Sequence, residues 1–508
     1  MRRSLVPCVL GILLSACSGG DDDVAPITPP ADAAQDVTDA SAEATPDVAE
    51  TGSGDATDAS AEAETGVPAD AMAEDGETAE GGDAGLPINR CGAAPFDWLP
   101  ADSMGKVLEK QSKAPHSKVD LTLGVIQLVS DGQLKTTRLP SYNTKSALVR
   151  YQTQDRGKLI DATAMVTWPD EAKTFPLLLI LHGTSGFHDG CGPTAGMVDA
   201  ELGGLTNETG LLLALYASFG YVTVFPDYIG LKSLGNPTGF MHPYLVAEPT
   251  AIASLDSLRA AKNVLAATSV TPGDVIVVGG SQGGHAAAFV NRFAPYYAPE
   301  FDIKASVWDV PPSDMVGQSK VALESSWIKA SGSVVSFLTA AESWYGASQG
   351  GLTEVLQPPY DTEAVTRMST ECNGLKLTNP TLETVFTPEI RSAAVEPGFG
   401  TMPPWSCYVR ENGLQTTSLP RKDNVPSLFL LGQNDDLVNP NVERAAFQEL
   451  CSQGLQLVYL ECAGAGHTQP LVWAFDQIFE FVEDRLDGKP MPADTCVVKP
   501  AEKCTSTP

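Results

Sequence analysis

A single serine stands among four glycines in the segment DVIVVGGSQGGHAAAFV, residues 274–290. An apolar run precedes it and an alanine-rich, helix-prone run follows. Gly279, Ser281 and Gly283 therefore fit the G-x-S-x-G elbow, in which a sharp strand-to-helix turn exposes a nucleophilic hydroxyl. A phosphate-binding loop has similar glycine spacing, but it needs a lysine and a hydroxyl residue next, where this chain has histidine and alanine. We therefore predict that Ser281 is a nucleophile.

Two further side chains are predicted to activate this serine, because a base must take its proton and a carboxylate must hold the base. In folds with this elbow the chain order is serine, acid, histidine. His467, in CAGAGHTQP after the apolar run 455–461, is predicted to be the base, whereas His285 is too near the serine and is interpreted as a packing residue. Asp435 is predicted to be the acid, with Asp436 as the alternative; a simple turn would also explain this acidic pair.

Backbone N–H groups beside the serine would stabilise the negative oxygen that forms when a carbonyl is attacked. We predict that this oxyanion hole is made by Gln282, directly after the serine, and by Thr184 in the loop LLLILHGTSGFHDGCGP, with Gly183 and Ser185 as alternatives to Thr184. Asp227, Tyr228 and His242 are candidates for the substrate pocket, and structural hydrogen bonding is the alternative role for them.

The loop that contains Thr184 also carries His182, His188 and Asp189. These residue types bind metals, but no further ligand cluster accompanies them. We therefore predict no metal and no other cofactor, and the reaction predicted for Ser281 needs neither.

Strand-like and helix-like patterns alternate through the chain and would position these residues. Apolar runs predict strands at 147–153, 160–168, 175–183, 220–228, 274–280, 303–310, 425–432 and 455–461. Helices are predicted at 199–219, 248–267, 283–294, 440–452 and 470–487. The central strands are apolar throughout, as in parallel strands that are covered on both faces. The alternation predicts an α/β fold with a mostly parallel sheet and helices on both faces.

One region, residues 312–422, interrupts this alternation and carries the aromatic residues Trp327, Phe337 and Trp344. We predict that it is a helical cap insertion over one end of the sheet, with a separate domain as the alternative. Its aromatic side chains would line an apolar pocket or lid, or pack inside the cap.

The first 86 residues have the composition of an export signal followed by a linker. Arg2 and Arg3 precede a short apolar core, and LSAC at 14–17 resembles a bacterial lipobox, whose cysteine becomes lipidated. We predict a lipoprotein signal peptide at 1–17 and a lipid anchor at Cys17, with an ordinary signal peptide as the alternative. Residues 18–86 contain 19 acidic side chains and no lysine or arginine, which predicts a disordered acidic linker. The folded domain would then span 87–508, at the bacterial cell envelope, at the outer membrane or secreted.

The net charge of the whole chain is −31, from 32 basic and 63 acidic residues. Without the linker acids and the two arginines of the signal, the balance is 30 basic against 44 acidic residues, or −14. No basic patch or nucleic-acid-binding motif is present, so we predict that nucleic acid is not a partner.

Eight cysteines lie beyond the signal, an even number that predicts up to four disulfides in an exported protein. They are Cys91, Cys191, Cys372, Cys407, Cys451, Cys462, Cys496 and Cys504. Eight cysteines allow 105 pairings. Two local closures, Cys451–Cys462 and Cys496–Cys504, are expected from their short spacing.

Taken together, these motifs resemble the α/β-hydrolase superfamily and, within it, the secretory lipase group of exported bacterial and fungal enzymes. The resemblance rests on HGTSGFHDGCGP, GYVTVFPDYIGL, HPYL, GGSQGG, the turn Gly432–Asp435 and AGHT, in this order over roughly residues 145–480. It implies a Ser-Asp-His carboxylic ester hydrolase for small-molecule or lipid esters, with a cap that shapes the acyl pocket. The chain departs from the group in the Cys-Gly-Pro-Thr block at Cys191, in Gly280, where the group often has tyrosine, and in offering two aspartates at the turn.

Two other functions stay open at this point. The same fold also carries serine peptidases and aryl-ester hydrolases, because the fold does not determine the substrate. A surface binding protein on a catalytically dead scaffold would also use an anchor and a spacer, although intact Ser281, Asp435 and His467 argue against it.

Overall fold

A nine-stranded, mostly parallel sheet lies at the centre of the part of the chain that the structure describes. The computed structural model describes residues 88–198, 208–372, 375–422 and 424–507. The strands are β1 (Val107–His116), β2 (Thr144–Asp155), β3 (Lys158–Pro169), β4 (Thr174–Leu181), β5 (Val222–Pro226), β6 (Thr271–Gly280), β7 (Ile303–Asp309), β8 (Ser427–Gly432) and β9 (Leu457–Cys462). Their order across the sheet is β1-β2-β3-β5-β4-β6-β7-β8-β9. The strands β1 to β3 form an antiparallel edge, and β4 to β9 run parallel to one another.

The eight predicted strands are all present, and β1 is an additional strand that the sequence patterns missed. Its sequence, VLEKQSKAPH, is polar because β1 is the edge strand: it pairs only with β2, and its first residues alternate between exposed and half-buried. A strand that buries little on either face lacks the apolar signal that marks the central strands.

Helices cover both faces of this sheet. In chain order they are α1 (Lys118–Ser130), α2 (Glu208–Ser218), α3 (Ala247–Leu265), α4 (Gln282–Tyr297), α5 (Met315–Glu324), α6 (Lys329–Tyr345), α7 (Tyr360–Met368), α8 (Leu382–Val385), α9 (Pro388–Val395), α10 (Trp405–Glu411), α11 (Pro440–Ser452), α12 (Pro470–Trp473) and α13 (Phe475–Leu486). Apolar side chains of α3 and α4 form a core on one face of the sheet, and those of α1, α2 and α13 form a second core on the other. The α/β fold predicted from the sequence is confirmed.

Two predicted helices differ in their bounds. The first part of the helix predicted at 199–219 lies outside the described residues, and α2 begins at Glu208. The prediction of one continuous helix at 470–487 is wrong. The region is divided into α12 and α13 at Ala474, whose φ of −90° and ψ of 17° depart from helical geometry.

The helical cap lies between β7 and β8 and comprises α5 to α10. Its helices bury their own apolar cluster, which is separate from the two cores of the sheet and includes Phe337, Trp344 and Trp405. The cap is therefore an insertion with a packed interior of its own, placed after the strand that follows α4.

Four disulfides join distant parts of the sequence: Cys91–Cys407, Cys191–Cys372, Cys451–Cys496 and Cys462–Cys504. The expected local closures Cys451–Cys462 and Cys496–Cys504 are therefore wrong. The reason is the path of the C-terminal segment, which runs beside β9: Ala463 N–H donates to the Glu502 carbonyl, and Cys496 N–H donates to the Leu457 carbonyl. Each cysteine of α11 and β9 therefore meets a cysteine of this segment rather than its neighbour in sequence.

The predicted signal peptide with Cys17, all of the predicted linker 18–86 and the first residue of the predicted folded domain lie outside the described residues. Among the helices that the structure does describe, none combines the length and apolarity needed to cross a bilayer.

Candidate active site

The turn between β6 and α4 holds Ser281 in a conformation that few residues adopt, with φ 56° and ψ −120°. The turn is crowded on both sides. A Cβ on Gly279 would meet the Gly283 carbonyl oxygen at 2.0 Å, and a Cβ on Gly283 would meet the Leu181 carbonyl oxygen at 2.0 Å. Only glycine fits such contacts. The Ser281 N–H also donates to the Asp309 carbonyl at 2.9 Å, which ties the turn to β7.

The structure brings Ser281, His467 and Asp435 together in one line of hydrogen bonds. Ser281 Oγ lies 2.9 Å from His467 Nε2, and His467 Nδ1 lies 2.8 Å from Asp435 Oδ2. The other carboxylate oxygen, Oδ1, accepts the N–H groups of Leu437 and Val438 at 2.8 and 2.9 Å. A carboxylate can only accept, so Nδ1 carries the ring hydrogen and Nε2 is left to accept from the serine hydroxyl.

The alternative acid, Asp436, does not reach the histidine. Its side chain is 62% exposed and forms an ion pair with Lys329 of the cap. The Asp435 side chain, by contrast, is only 2% exposed where it meets His467. The geometry therefore separates two adjacent aspartates that the sequence could only rank.

The side chains of the two residues predicted for the oxyanion hole are both hydrogen-bonded to the loop 242–245. Gln282 begins α4, and its Nε2 lies 2.6 Å from His242 Nε2. His242 Nδ1 lies 2.8 Å from the Ile229 carbonyl, which can only accept, so Nδ1 carries the hydrogen and Nε2 accepts from Gln282. The Thr184 hydroxyl donates to the hydroxyl of Tyr244, in the same loop, at 3.1 Å.

Asp227, Tyr228 and His242 are fully buried and are not in the wall of the cavity beside Ser281. The Tyr228 hydroxyl donates to the His182 carbonyl at 3.0 Å, and its ring stacks between His182 and His242. Burial raises the pKa of Asp227 to about 6, although its carboxylate accepts hydrogen bonds from three hydroxyls. The donors are Thr163, Thr194 and Ser233. These contacts join β3 to the loops that follow β4 and β5, and none of the three residues lies in the wall of the cavity.

A cavity lies over Ser281, between the elbow and the cap, and its roughly 520 Å³ of empty space includes part of the solvent at its mouth. Its wall is mostly apolar, and α5, α6 and the turn after β8 supply most of it. The apolar lining residues are Leu245, Pro312, Met315, Ala330, Val334, Phe337, Leu437 and Val438. Polar groups are few: besides Ser281 and Gln282 they are Tyr244, Gln318, Ser319 and Ser333. None of these last four was predicted as a site residue, although Tyr244 belongs to the HPYL motif; the other three reach the cavity only through the fold and have no local sequence signal.

The three cap aromatics named from the sequence have different places. Phe337 lines the cavity. The indole N–H of Trp344 donates to Asp155 at 2.8 Å, and Trp327 stacks on Phe386 with ring centres 6.1 Å apart. Phe337 therefore faces the site, while Trp344 and Trp327 pack within the cap or against the sheet.

Burial raises the pKa values of two carboxyls near the site. Burial and the charge of Asp435 raise the pKa of Asp309 well above its usual value, and neither of its oxygens has a hydrogen-bond partner in the described part of the chain. Burial also raises the pKa of Glu443 to about 8. Glu443 accepts from the Ser313 hydroxyl and from Gln318 of α5, so this carboxyl joins α11 to the cap.

One group of side chains in the described residues has the spacing of metal ligands: His188, Cys191 and Cys372. The two cysteines are bonded to each other, so neither sulfur is a thiolate that could bind a metal. His182 and Asp189, from the same loop, are not part of this group.

The chain resembles many solved structures in fold, among them an esterase and a lipase. A ligand-bound form of the rice cell wall degrading esterase LipA from Xanthomonas oryzae is 20% identical, over 77% of this chain and 100% of that chain, with a TM-score of 0.59. Candida antarctica lipase A in its closed state is 15% identical, over 83% of this chain and 92% of that chain, with a TM-score of 0.58. At these identities the likeness establishes the fold alone. No curated protein sequence matches the chain significantly.

The strand order, the serine at the turn after β6 and the helical cap define an α/β-hydrolase. The sequence pattern of the secretory lipase family matches residues 199–494, which is more than half of the chain. The chain belongs to the secretory lipase family. Membership makes it a carboxylic ester hydrolase with ester substrates, and the secretory character of the family indicates export.

Proposed function

We propose that the protein is an exported serine carboxylic ester hydrolase that works through an acyl-enzyme on Ser281. One observation carries the proposal: an unbroken line of hydrogen bonds runs from Ser281 Oγ through both ring nitrogens of His467 to Asp435 Oδ2. The serine end of this line opens into the cavity under the cap, where an ester would bind.

The proposed reaction has two acyl-transfer steps. His467 Nε2 takes the proton of Ser281 as Oγ bonds to the ester carbonyl carbon, and Asp435 stabilises the imidazolium that forms. The backbone N–H groups of Gln282 and Thr184 donate to the oxyanion. His467 then gives its proton to the alcohol oxygen as the ester C–O bond breaks. Water repeats the sequence on the acyl-enzyme, which releases the acid and restores the serine.

The cavity supports an ester with an apolar acyl chain. Its wall consists mainly of aliphatic side chains and the rings of Phe337 and Tyr244, and apolar contacts favour a hydrocarbon chain by about 0.8 kcal/mol for each buried methylene. The cap supplies Met315, Ala330, Val334 and Phe337 to this wall, so its helices would set how much chain is accepted.

The sequence supports a proposal for the cellular context. We propose that 1–17 is a lipoprotein signal peptide, that Cys17 is the lipidated residue, and that the acidic segment 18–86 separates the hydrolase domain, 87–508, from a membrane of the cell envelope. Within that domain we propose 312–422 as the bounds of the cap. Like charges along the acidic segment repel one another and favour an extended spacer.

A panel of p-nitrophenyl esters and peptide anilides tests the reaction class. We expect ester turnover with acyl chains of several lengths, little anilide turnover, and loss of ester turnover in Ser281→Ala by about a thousandfold or more. Anilide turnover without ester turnover would instead identify a serine peptidase. A folded protein that turns over neither substrate would indicate a surface binding protein on this scaffold.

A further inference from the structure

Tyr244 lies in the wall of the cavity that also holds Ser281 and Gln282. Its side chain is buried, with 6% of the residue exposed. The reaction proposed above gives this residue no part, although its hydroxyl is one of the few polar groups in an otherwise apolar wall.

The hydrogen bonds of Tyr244 place its hydroxyl beside the proposed oxyanion hole. The hydroxyl of Thr184, the residue proposed to supply one oxyanion N–H, donates to the Tyr244 oxygen at 3.1 Å. The Ser333 side chain of α6 is a second hydrogen-bond partner. A tyrosine oxygen carries one hydrogen and accepts two. Thr184 fills one acceptor position. When Ser333 donates as well, both acceptor positions are filled and the Tyr244 hydrogen is free to donate to a group bound in the cavity.

The ring of Tyr244 is held firmly in this position. Its backbone N–H donates to the His242 carbonyl at 2.8 Å, and its ring meets Phe187 edge-on with the ring centres 5.3 Å apart. His242 is the same residue that accepts the hydrogen bond from the Gln282 side chain. One short loop therefore holds both Tyr244 and the residue that supplies the other oxyanion N–H.

We propose that Tyr244 is a catalytic residue that donates a third hydrogen bond to the oxyanion, an inference that rests on the proposed serine hydrolase function. As Ser281 Oγ bonds to the carbonyl carbon, the π electron pair moves to the carbonyl oxygen, and the Tyr244 O–H donates to it beside the N–H groups of Gln282 and Thr184. The hydrogen stays on Tyr244 throughout, so no proton is transferred. Donors fixed in advance in a site shielded from water stabilise such a charge effectively.

Burial raises the pKa of the Tyr244 hydroxyl above its ordinary value. The residue therefore stays a donor throughout the pH range in which a neutral histidine acts as the base. A deprotonated tyrosine would repel the oxyanion, so the direction of this pKa shift agrees with the role.

Tyr244→Phe tests the proposal, because it removes one oxygen atom and keeps the ring. We expect kcat for p-nitrophenyl esters to fall by about tenfold to a hundredfold with KM within about twofold, since the bond strengthens only in the transition state. The matched thionoester, whose C=S sulfur accepts hydrogen bonds poorly, should lose less than about threefold. Tyr408→Phe is the control: it also removes a buried tyrosine hydroxyl, one that bonds Ala347 and Glu342 within the cap. It should change neither rate by more than about twofold.

The outcomes separate a donor from a structural residue. Equal losses on the oxoester and the thionoester, or an unchanged oxoester kcat, would overturn the proposal. If Tyr244→Phe lowers the melting temperature, the affinity of this variant for a trifluoromethyl ketone inhibitor distinguishes an oxyanion donor from a structural residue. The weakening of this inhibitor should match the fold-loss in kcat/KM if Tyr244 donates to the oxyanion, and unchanged affinity overturns the role. If the wild type hydrolyses no ester at all, the proposed function itself is contradicted, which is a separate result.

Discussion

Replacing Asp435 by asparagine should remove most of the catalytic rate while leaving the fold intact. Asp435 Oδ2 accepts the hydrogen of His467 Nδ1 at 2.8 Å, and Oδ1 accepts two backbone N–H groups. An asparagine oxygen could keep the two backbone bonds. Its NH₂ group would then face Nδ1, and it would favour the tautomer in which Nε2 carries the hydrogen. That tautomer cannot take a proton from Ser281.

The size of the effect follows from the charge that Asp435 carries. In the transition state an imidazolium forms next to the carboxylate, at a charge separation of about 4 Å. At an effective dielectric constant of about 20 this attraction is worth about 4 kcal/mol. Each 1.4 kcal/mol is tenfold in rate, so the lost attraction alone predicts about a thousandfold fall in kcat, and the tautomer change adds to it. We therefore expect a loss of about 10³- to 10⁴-fold.

The assay is the kcat of purified variants on a p-nitrophenyl ester, with two matched controls. Asp436→Asn changes the adjacent carboxylate, which is exposed and paired with Lys329, and Asp309→Asn changes a buried carboxyl whose pKa is raised well above its usual value. Both should keep kcat within about threefold, because neither removes a charge that acts on His467. If Asp435→Asn stays within tenfold of the wild type, or if Asp436→Asn loses more than Asp435→Asn, the reasoning is refuted.

Three further predictions concern the core, the cap and the acyl pocket. Burial raises the pKa of Glu443 to about 8, so between its unfolded and folded pKa values the stability of the protein falls by about 1.4 kcal/mol per pH unit, because only the unfolded state ionises the carboxyl. Glu443→Gln should therefore flatten the fall in melting temperature from pH 5 to pH 8, and parallel melting-temperature curves for variant and wild type would contradict this. Gly283→Ala places a Cβ 2.0 Å from the Leu181 carbonyl oxygen and should lower the free energy of unfolding, measured by urea titration, by about 3 kcal/mol. An unchanged midpoint of the urea unfolding curve would contradict the close contact at this turn. Val334→Trp fills part of the cavity and should lower the ratio of kcat/KM for octanoate to that for acetate by about a hundredfold, which corresponds to the burial free energy of roughly four methylene groups. An unchanged ratio would mean that the acyl chain binds elsewhere.

The central part of the fold could be read from the sequence because its physical signals are local. The middle strands are buried on both faces and are therefore apolar throughout, and the glycines around Ser281 are required by contacts within one turn. The edge strand β1 lacks such a signal, since its side chains are largely exposed.

What the sequence left open depends on contacts between distant residues. Spacing alone could not choose between Asp435 and Asp436, because the choice rests on which side chain turns inward towards His467. The pairing of Cys451 depends on the path of the C-terminal segment beside β9. Tyr244 meets Thr184 only because the loops after β4 and β5 pack together.

The most direct test of the central claim is the site and rate of covalent labelling by a fluorophosphonate. We expect one label per chain, located by mass spectrometry on Ser281, and no label in Ser281→Ala. Labelling of His467→Ala should be slower than that of the wild type by about a thousandfold. Labelling of the folded wild type at another residue, or labelling of Ser281 at an unchanged rate in His467→Ala, would contradict the claim that His467 activates Ser281 for attack on esters.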